Sequence, residues 1–167
     1  MTEGVSPSAR IAASFKALAA SSQVLNAASD ELTKPIAEIN GVLQQLNLGL
    51  TVWEKIHGQE DDGRGNYWSR DVGYAQIRRR WGIAIRTVNG SHHHPGEGDT
   101  EEWLFDEAPR SYRIDAVDKI PELLDKLIKA SEKTARKLQA KAAEARELST
   151  ALTNAAVELK LVKKASR

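Results

Sequence analysis

An α+β fold is predicted for this 167-residue chain: two long antiparallel, coiled-coil-like helices joined by a roughly four-stranded antiparallel β-sheet head. Three observations carry it. Apolar residues step by three and four along both ends of the sequence, the spacing that keeps one seam on one side of a helix. Every Trp, Tyr and Phe except Phe15 falls between Trp53 and Tyr112. That aromatic middle is cut by Gly-, Asp- and Pro-rich stretches into runs of strand length. The whole chain reads as one domain, 1–167, with a long helix over 8–48, a β-rich head over 50–107, and a C-terminal long helix with a short lead-in over 111–165.

The first arm has its seam at Ile11, Phe15, Leu18, Ser22, Leu25, Ser29, Leu32, Ile36, Ile39, Leu43, Leu46 and Leu50. Ser6 is suited to cap its start and Pro7 to be its first helical residue. Pro35 removes a backbone donor inside the helix, but the seam keeps its phase across it, which favours a kink over a break. The "LNLGL" stretch places the end near Gly49. In the last arm Val117, Ile120, Leu124, Leu127, Ala135, Leu138, Ala142, Ser149 and Leu152 lie on one seam, with a stutter between Leu127 and Ala135. Ser111 is expected to cap the lead-in helix. Folded antiparallel within one chain, the arms bring Leu25 opposite Ala142, Leu18 near Ser149, Ser29 near Leu138 and Phe15 near Leu152, so that large side chains mostly meet small ones.

The head is expected to contain four strands in sequence order, with 66–77 as one long strand and the last over 102–107. A three-residue turn at Arg78–Arg80 would put Ile77 opposite Trp81, and Ala75, Ile77, Trp81, Ile83 and Ile85 on one apolar face. Trp53, Trp68, Trp81 and Trp103 fall one to a strand. They are expected to form a sheet aromatic face, covering the sheet where helices dock or, in a sharper reading, binding a ligand.

Charge limits the function classes. The net charge is +1, so no overall field drives the protein onto nucleic acid or anionic lipid. By segment the net is −1 over residues 1–50, −3 over 51–116 and +5 over 117–167. The absence of cysteine excludes a disulfide scaffold and a thiol nucleophile, and suits a cytoplasmic setting. The N-terminal residues lack a signal-peptide pattern, and no apolar run approaches the ~20 residues of a membrane span, so no membrane association is expected.

Several motifs invite chemistry. Arg78, Arg79 and Arg80 followed by Trp81 offer a basic hairpin tip that suits phosphate and stacked bases. The net negative head argues against a broad nucleic-acid surface. His92, His93 and His94 are consecutive, and alternate residues of an extended loop face opposite ways, so no metal site is expected. The acidic "GQEDDGRGN" loop lacks EF-hand ligand spacing and reads as a solvated connection. His57 could pair with Asp61 or Asp62 as an acid–base couple, but no nucleophile–base–orienter set emerges. The reading therefore leans away from an enzyme, with no catalytic residue and no cofactor. Arg110 and Arg113 are expected to reach back to a sheet acid such as Asp71 or Asp106.

The favoured function is a non-catalytic structural or interaction protein, an oligomeric helical scaffold or adaptor. Val24, Val42, Leu123, Ile128 and Leu161 lie beside the seams and are expected to stay half exposed until a second copy covers them. That makes a homodimer the favoured partner arrangement, beside an unidentified protein partner. A second reading is a nucleic-acid-binding accessory protein using the Arg78–Arg80 tip and the basic C-terminal helix. The helix–β–helix connectivity is similar to that of prefoldin-type subunits, which implies a holding chaperone as a third reading. The Trp-rich strands and the lead-in helix depart from that pattern.

Overall fold

The computed structural model describes residues 6–94 and 96–165, with side-chain surroundings through residue 158. The chain divides into two compact units, one ending at Leu123 and one beginning at Leu124. In order, the elements are α1 (Pro7–Gln45), β1 (Val52–Gln59), β2 (Asn66–Ile77), β3 (Arg80–Ser91), β4 (Asp99–Leu104), α2 (Arg110–Val117) and α3 (Ile120–Ala165). The first unit holds everything through the opening turn of α3, and the second is the remainder of that helix.

The start of α1 follows the sequence. The Ser6 hydroxyl accepts from the Ala9 N–H at 3.3 Å, and Pro7 occupies the first turn, where its missing donor is harmless. The helix runs unbroken through Pro35. It ends earlier than Gly49, with Leu46 as C-cap. Asn47, at φ 46°, supplies the left-handed residue, and its N–H bonds the Gln44 carbonyl. Ser29, Ile36 and Leu43 are its buried residues, seven apart and hence on one face.

The four strands form one antiparallel sheet in the order β1–β2–β3–β4. The β2–β3 turn corrects the expected register. Ile77 pairs with Arg80, leaving a two-residue turn at Arg78 and Arg79, with φ of 48° and 69°. Two left-handed residues give the turn whose twist matches a hairpin. A one-residue slip exchanges the faces of a strand. Trp81, Ile83 and Ile85 therefore share a face with Gln76, Tyr74 and Val72, their cross-strand partners, while Ala75 and Ile77 lie on the other. The apolar face expected from 75 to 85 is thus split between the two sides.

The first face carries Val72, Tyr74, Ile83 and Ile85, which with Leu123 are the largest fully buried side chains. Burial raises the pKa of the Tyr74 phenol. Helix α2 docks on this face. The Tyr112 ring meets Trp103 edge-on at 5.9 Å, the Arg70 guanidinium sits 3.6 Å over Tyr112, and Arg70 Nη1 donates to Asp115 at 3.0 Å. The second face has a smaller cluster of Ala75, Ile77, Ala84 and Leu104, with Trp53 packed against it. Gly73 is required there, because a Cβ would stand 2.3 Å from the Trp53 ring and 2.6 Å from the Val52 carbonyl.

Strand β4 starts earlier than expected, at Asp99, and ends at Leu104 opposite Ala84. The outer edge of β3 before that point would carry unpaired peptide groups. Phe105 N–H donates to the Ile83 carbonyl at 2.9 Å. Helix α1 supplies the rest. Asn40 Oδ1 accepts from the Ile83 N–H at 3.0 Å, and Gln44 Nε2 donates to the Trp81 carbonyl at 2.6 Å. Two side chains one helical turn apart thus stand in for a strand and close an edge. Asn40→Ala is expected to destabilise the fold by about 1–2 kcal/mol by stranding a partly buried N–H. Urea unfolding measures the loss, and faster hydrogen exchange at Ile83 localises it.

Candidate interaction site

The broadest surface feature is apolar and helical. All of residues 6–28 are exposed, as are residues 135–158. Within the first stretch Ile11 is 70%, Phe15 72% and Leu18 66% exposed, and within the second Leu138 is 65% and Leu152 74% exposed. These are the positions the sequence assigns to the two seams. Both long helices are present, and within each unit these seam positions are exposed. A shallow groove continues the α1 stripe inside the first unit, walled by Leu25, Leu32, Ile114 and Val117.

The residues expected beside the seams behave differently from one another. Val24, Val42 and Ile128 are exposed. Leu123 is fully buried, which corrects its placement on a half-open interface; it belongs to the core of the first unit because α3 begins inside that unit. The side chain of Leu161 lies outside the described residues.

The arginine tip is a charged turn held by an acid distant from it in sequence. Glu107 pairs with Arg80 and lies 3.6 Å from Arg78. Two of the three guanidinium groups thereby share one carboxylate. Glu107 sits just past β4, so only the register of that strand brings it to the hairpin.

The four tryptophans do not form one aromatic face. Trp68, Trp81 and Trp103 share the face of Val72 and Ile85, whereas Trp53 pairs with Gly73 on the other. An irregularity in β1 between Lys55 and His57 leaves Trp53 on the far side. There it stacks under the Arg86 guanidinium at 4.4 Å, and Arg86 Nε donates to the nearly buried Asp71 at 2.8 Å. Trp81 stacks on Tyr74 at 5.6 Å, and Trp68 is the exposed member of the four.

The expected couple of His57 with Asp61 or Asp62 is replaced by a different geometry. His57 Nε2 lies 3.9 Å from Asp115. Asp61 accepts from the N–H groups of Gly63 and Gly65. Asp62 accepts from Arg64 and Asn66. The hydrogen bond from the Asn66 side chain, and then those from the backbone, hold the Asp62 carboxyl below its ordinary range. The acidic loop thus closes on itself. His92, His93 and His94 are exposed, and His92 Nε2 contacts the Glu60 carbonyl. No group of three His, Cys, Asp or Glu with metal-binding geometry occurs among the described residues.

Arg110 and Arg113 reach back to α1 rather than to sheet acids. Arg110 donates to Asn26 Oδ1 at 2.8 Å. Arg113 donates to Thr33 Oγ1 at 3.0 Å and Ser29 Oγ at 2.9 Å. Asp71 is taken by Arg86. Helix α2 begins after Pro109, with no side-chain cap, so Ser111 lies inside the helix instead of capping it. Small polar residues at 26, 29 and 33 of α1 leave room for the two guanidinium groups.

Among the described residues no helix is long and apolar enough to cross a membrane. Compared with protein-family models, curated proteins and solved structures, the chain matches none.

Proposed function

We propose that this protein is a non-catalytic structural component, a cytoplasmic helical scaffold that assembles with other copies of itself through the open stripes of α1 and α3 and carries its β-sheet head as a rigid platform. The single observation behind the reading is that both seams present large apolar side chains to solvent along residues 6–28 and 135–158. The exposed part of α1 is held by the Ser6 cap at its start and by the Arg110–Asn26 hydrogen bond near its end. Residues 7–28 contain Arg10 and Lys16 but no acid, so no ion pairs along that stretch support it. A helix with no covered face lacks the packing that gives most helices in proteins their stability. Burial of the stripe by another helix supplies what propensity does not. A cysteine-free composition suits a reducing compartment. The nucleic-acid reading is the weaker one, because Arg80 is paired with Glu107 and residues 51–116 around the tip are net negative.

Replacing Leu18 and Leu152 by Lys tests the proposal. Both side chains are exposed in the single chain, so the head is expected to keep its near-ultraviolet tryptophan signal while the mass in light scattering falls to that of a monomer. An unchanged assembly would exclude the stripes as its cause.

A further inference from the structure

We infer that the α1 stripe from Ile11 to Leu25 is the seat for the distal half of α3 from a second copy, lying antiparallel, with Leu25 against the partner's Ala142 and Leu18 against the partner's Ser149. The inference rests on the assembly proposed above and names what fills its interface. Two independent complementarities support it.

The first is size. In this register Ile11 meets the partner's Ala156, Leu18 meets the partner's Ser149 and Leu25 meets the partner's Ala142, each a large side chain on a small one. Phe15 lies against the partner's Leu152, and Ser22 against the partner's Ala145. Alternating large and small residues let two helices approach closely with their layers interdigitated. The structure also sets the limit of the match. The next step would put Ser29 against a leucine, but Ser29 is buried and holds Arg113. The seat therefore ends at Leu25.

The second is charge. Residues 11–25, the seat itself, carry Lys16 and no acid, and residues 142–156 carry Glu144 and Glu147 against Arg146. Glu144 is bonded to Lys141 of its own helix. Pairing α1 with α3 joins a +1 stretch to a −1 stretch and brings Arg10 level with the partner's Glu158 on one flank. Pairing either stretch with its own copy sets like charges side by side, which selects against it. Because each copy offers one seat and one occupant, a two-fold dimer is the smallest assembly in which both are filled reciprocally.

The chain has no cysteine, so single-cysteine variants of the full-length protein report the pairing directly. Leu25→Cys mixed with Ala142→Cys, and Leu18→Cys mixed with Ser149→Cys, are expected to form disulfide-linked dimers under mild oxidation. The crossed mixtures, Leu25→Cys with Ser149→Cys and Leu18→Cys with Ala142→Cys, are displaced by one heptad, roughly 10 Å along the axis, beyond disulfide reach. They are expected to stay uncrosslinked. The inference is overturned if crossed mixtures link as well as matched ones, or if Leu25→Cys links to itself. It is also overturned if linkage occurs only within a single chain carrying both Leu25→Cys and Ala142→Cys. A dimer by light scattering in which no matched mixture links would overturn this register and leave the assembly standing. A monomer would overturn the assembly itself.

Discussion

Leu123→Ala is expected to destabilise the first unit by about 3 kcal/mol, the middle of the range for removing a buried leucine. Leu123 has no exposed surface, and Val72, Tyr74, Ile83 and Ile85 are the other large side chains buried as fully. Truncation leaves a hole that a sheet pinned by hydrogen bonds collapses into only partly. The sequence alone places Leu123 beside the seam with Val24 and Val42, where truncation would act on assembly. The two locations have different signatures. A core position lowers the urea midpoint by the same amount at every protein concentration, whereas an interface position gives a concentration-dependent loss. Val24→Ala and Val42→Ala, at exposed sites, are the controls, with changes within about 0.5 kcal/mol in the isolated chain.

Asp71→Ala is expected to lower stability by about 3 kcal/mol. Asp71 is 4% exposed and accepts from Arg86 Nε at 2.8 Å and from Ser69 Oγ at 3.3 Å. Removing the acid leaves a largely buried guanidinium with only the Trp53 ring beneath it, and a broken buried pair is more harmful than an absent one. The effect stays at the low end of that class because Arg86 keeps some contact with water. Asp71→Ala combined with Arg86→Leu is expected to recover at least half of the loss, since no charge is then stranded. Denaturant titrations of the two single variants and the double variant measure the coupling.

The parts of the fold legible in the sequence are those fixed by local periodicity and chain stereochemistry. Ser6 and Pro7 start α1 because capping is decided within one turn. Four strands in meander order follow from β-branched and aromatic runs separated by short loops. The single strand over 66–77 follows from an uninterrupted run. What local pattern does not decide is register. Arg78 and Arg79 adopt left-handed conformations that arginine does not advertise, so a two-residue turn read as a three-residue one, and every face assignment after it changed sides. Trp53 is set apart by a separate feature, the irregularity in β1 between Lys55 and His57.

Long-range polar pairing was legible as chemistry but not as address. Arg110 and Arg113 are recognisable as junction residues, yet carboxylates drew the expectation toward Asp71 and Asp106. The partners are Asn26, Ser29 and Thr33, short side chains on α1 that make space as well as accept hydrogen bonds. Asn40 and Gln44 left a signal: polar residues four apart on a helix otherwise read for its seam. Their role depends on β4 stopping at Leu104, which only strand pairing determines.

The seam residues are legible from the heptad spacing, but their exposure is not: paired within one chain, Leu18 and Leu152 would be covered, and both are open to solvent. Light scattering coupled to size-exclusion chromatography, on the unmodified full-length protein over a range of concentrations, tests the central claim most directly. A dimer joined through the α1 and α3 stripes gives a mass twice that of the 18.4 kDa chain, falling toward one chain only on dilution. A mass of 18.4 kDa at every concentration would contradict it.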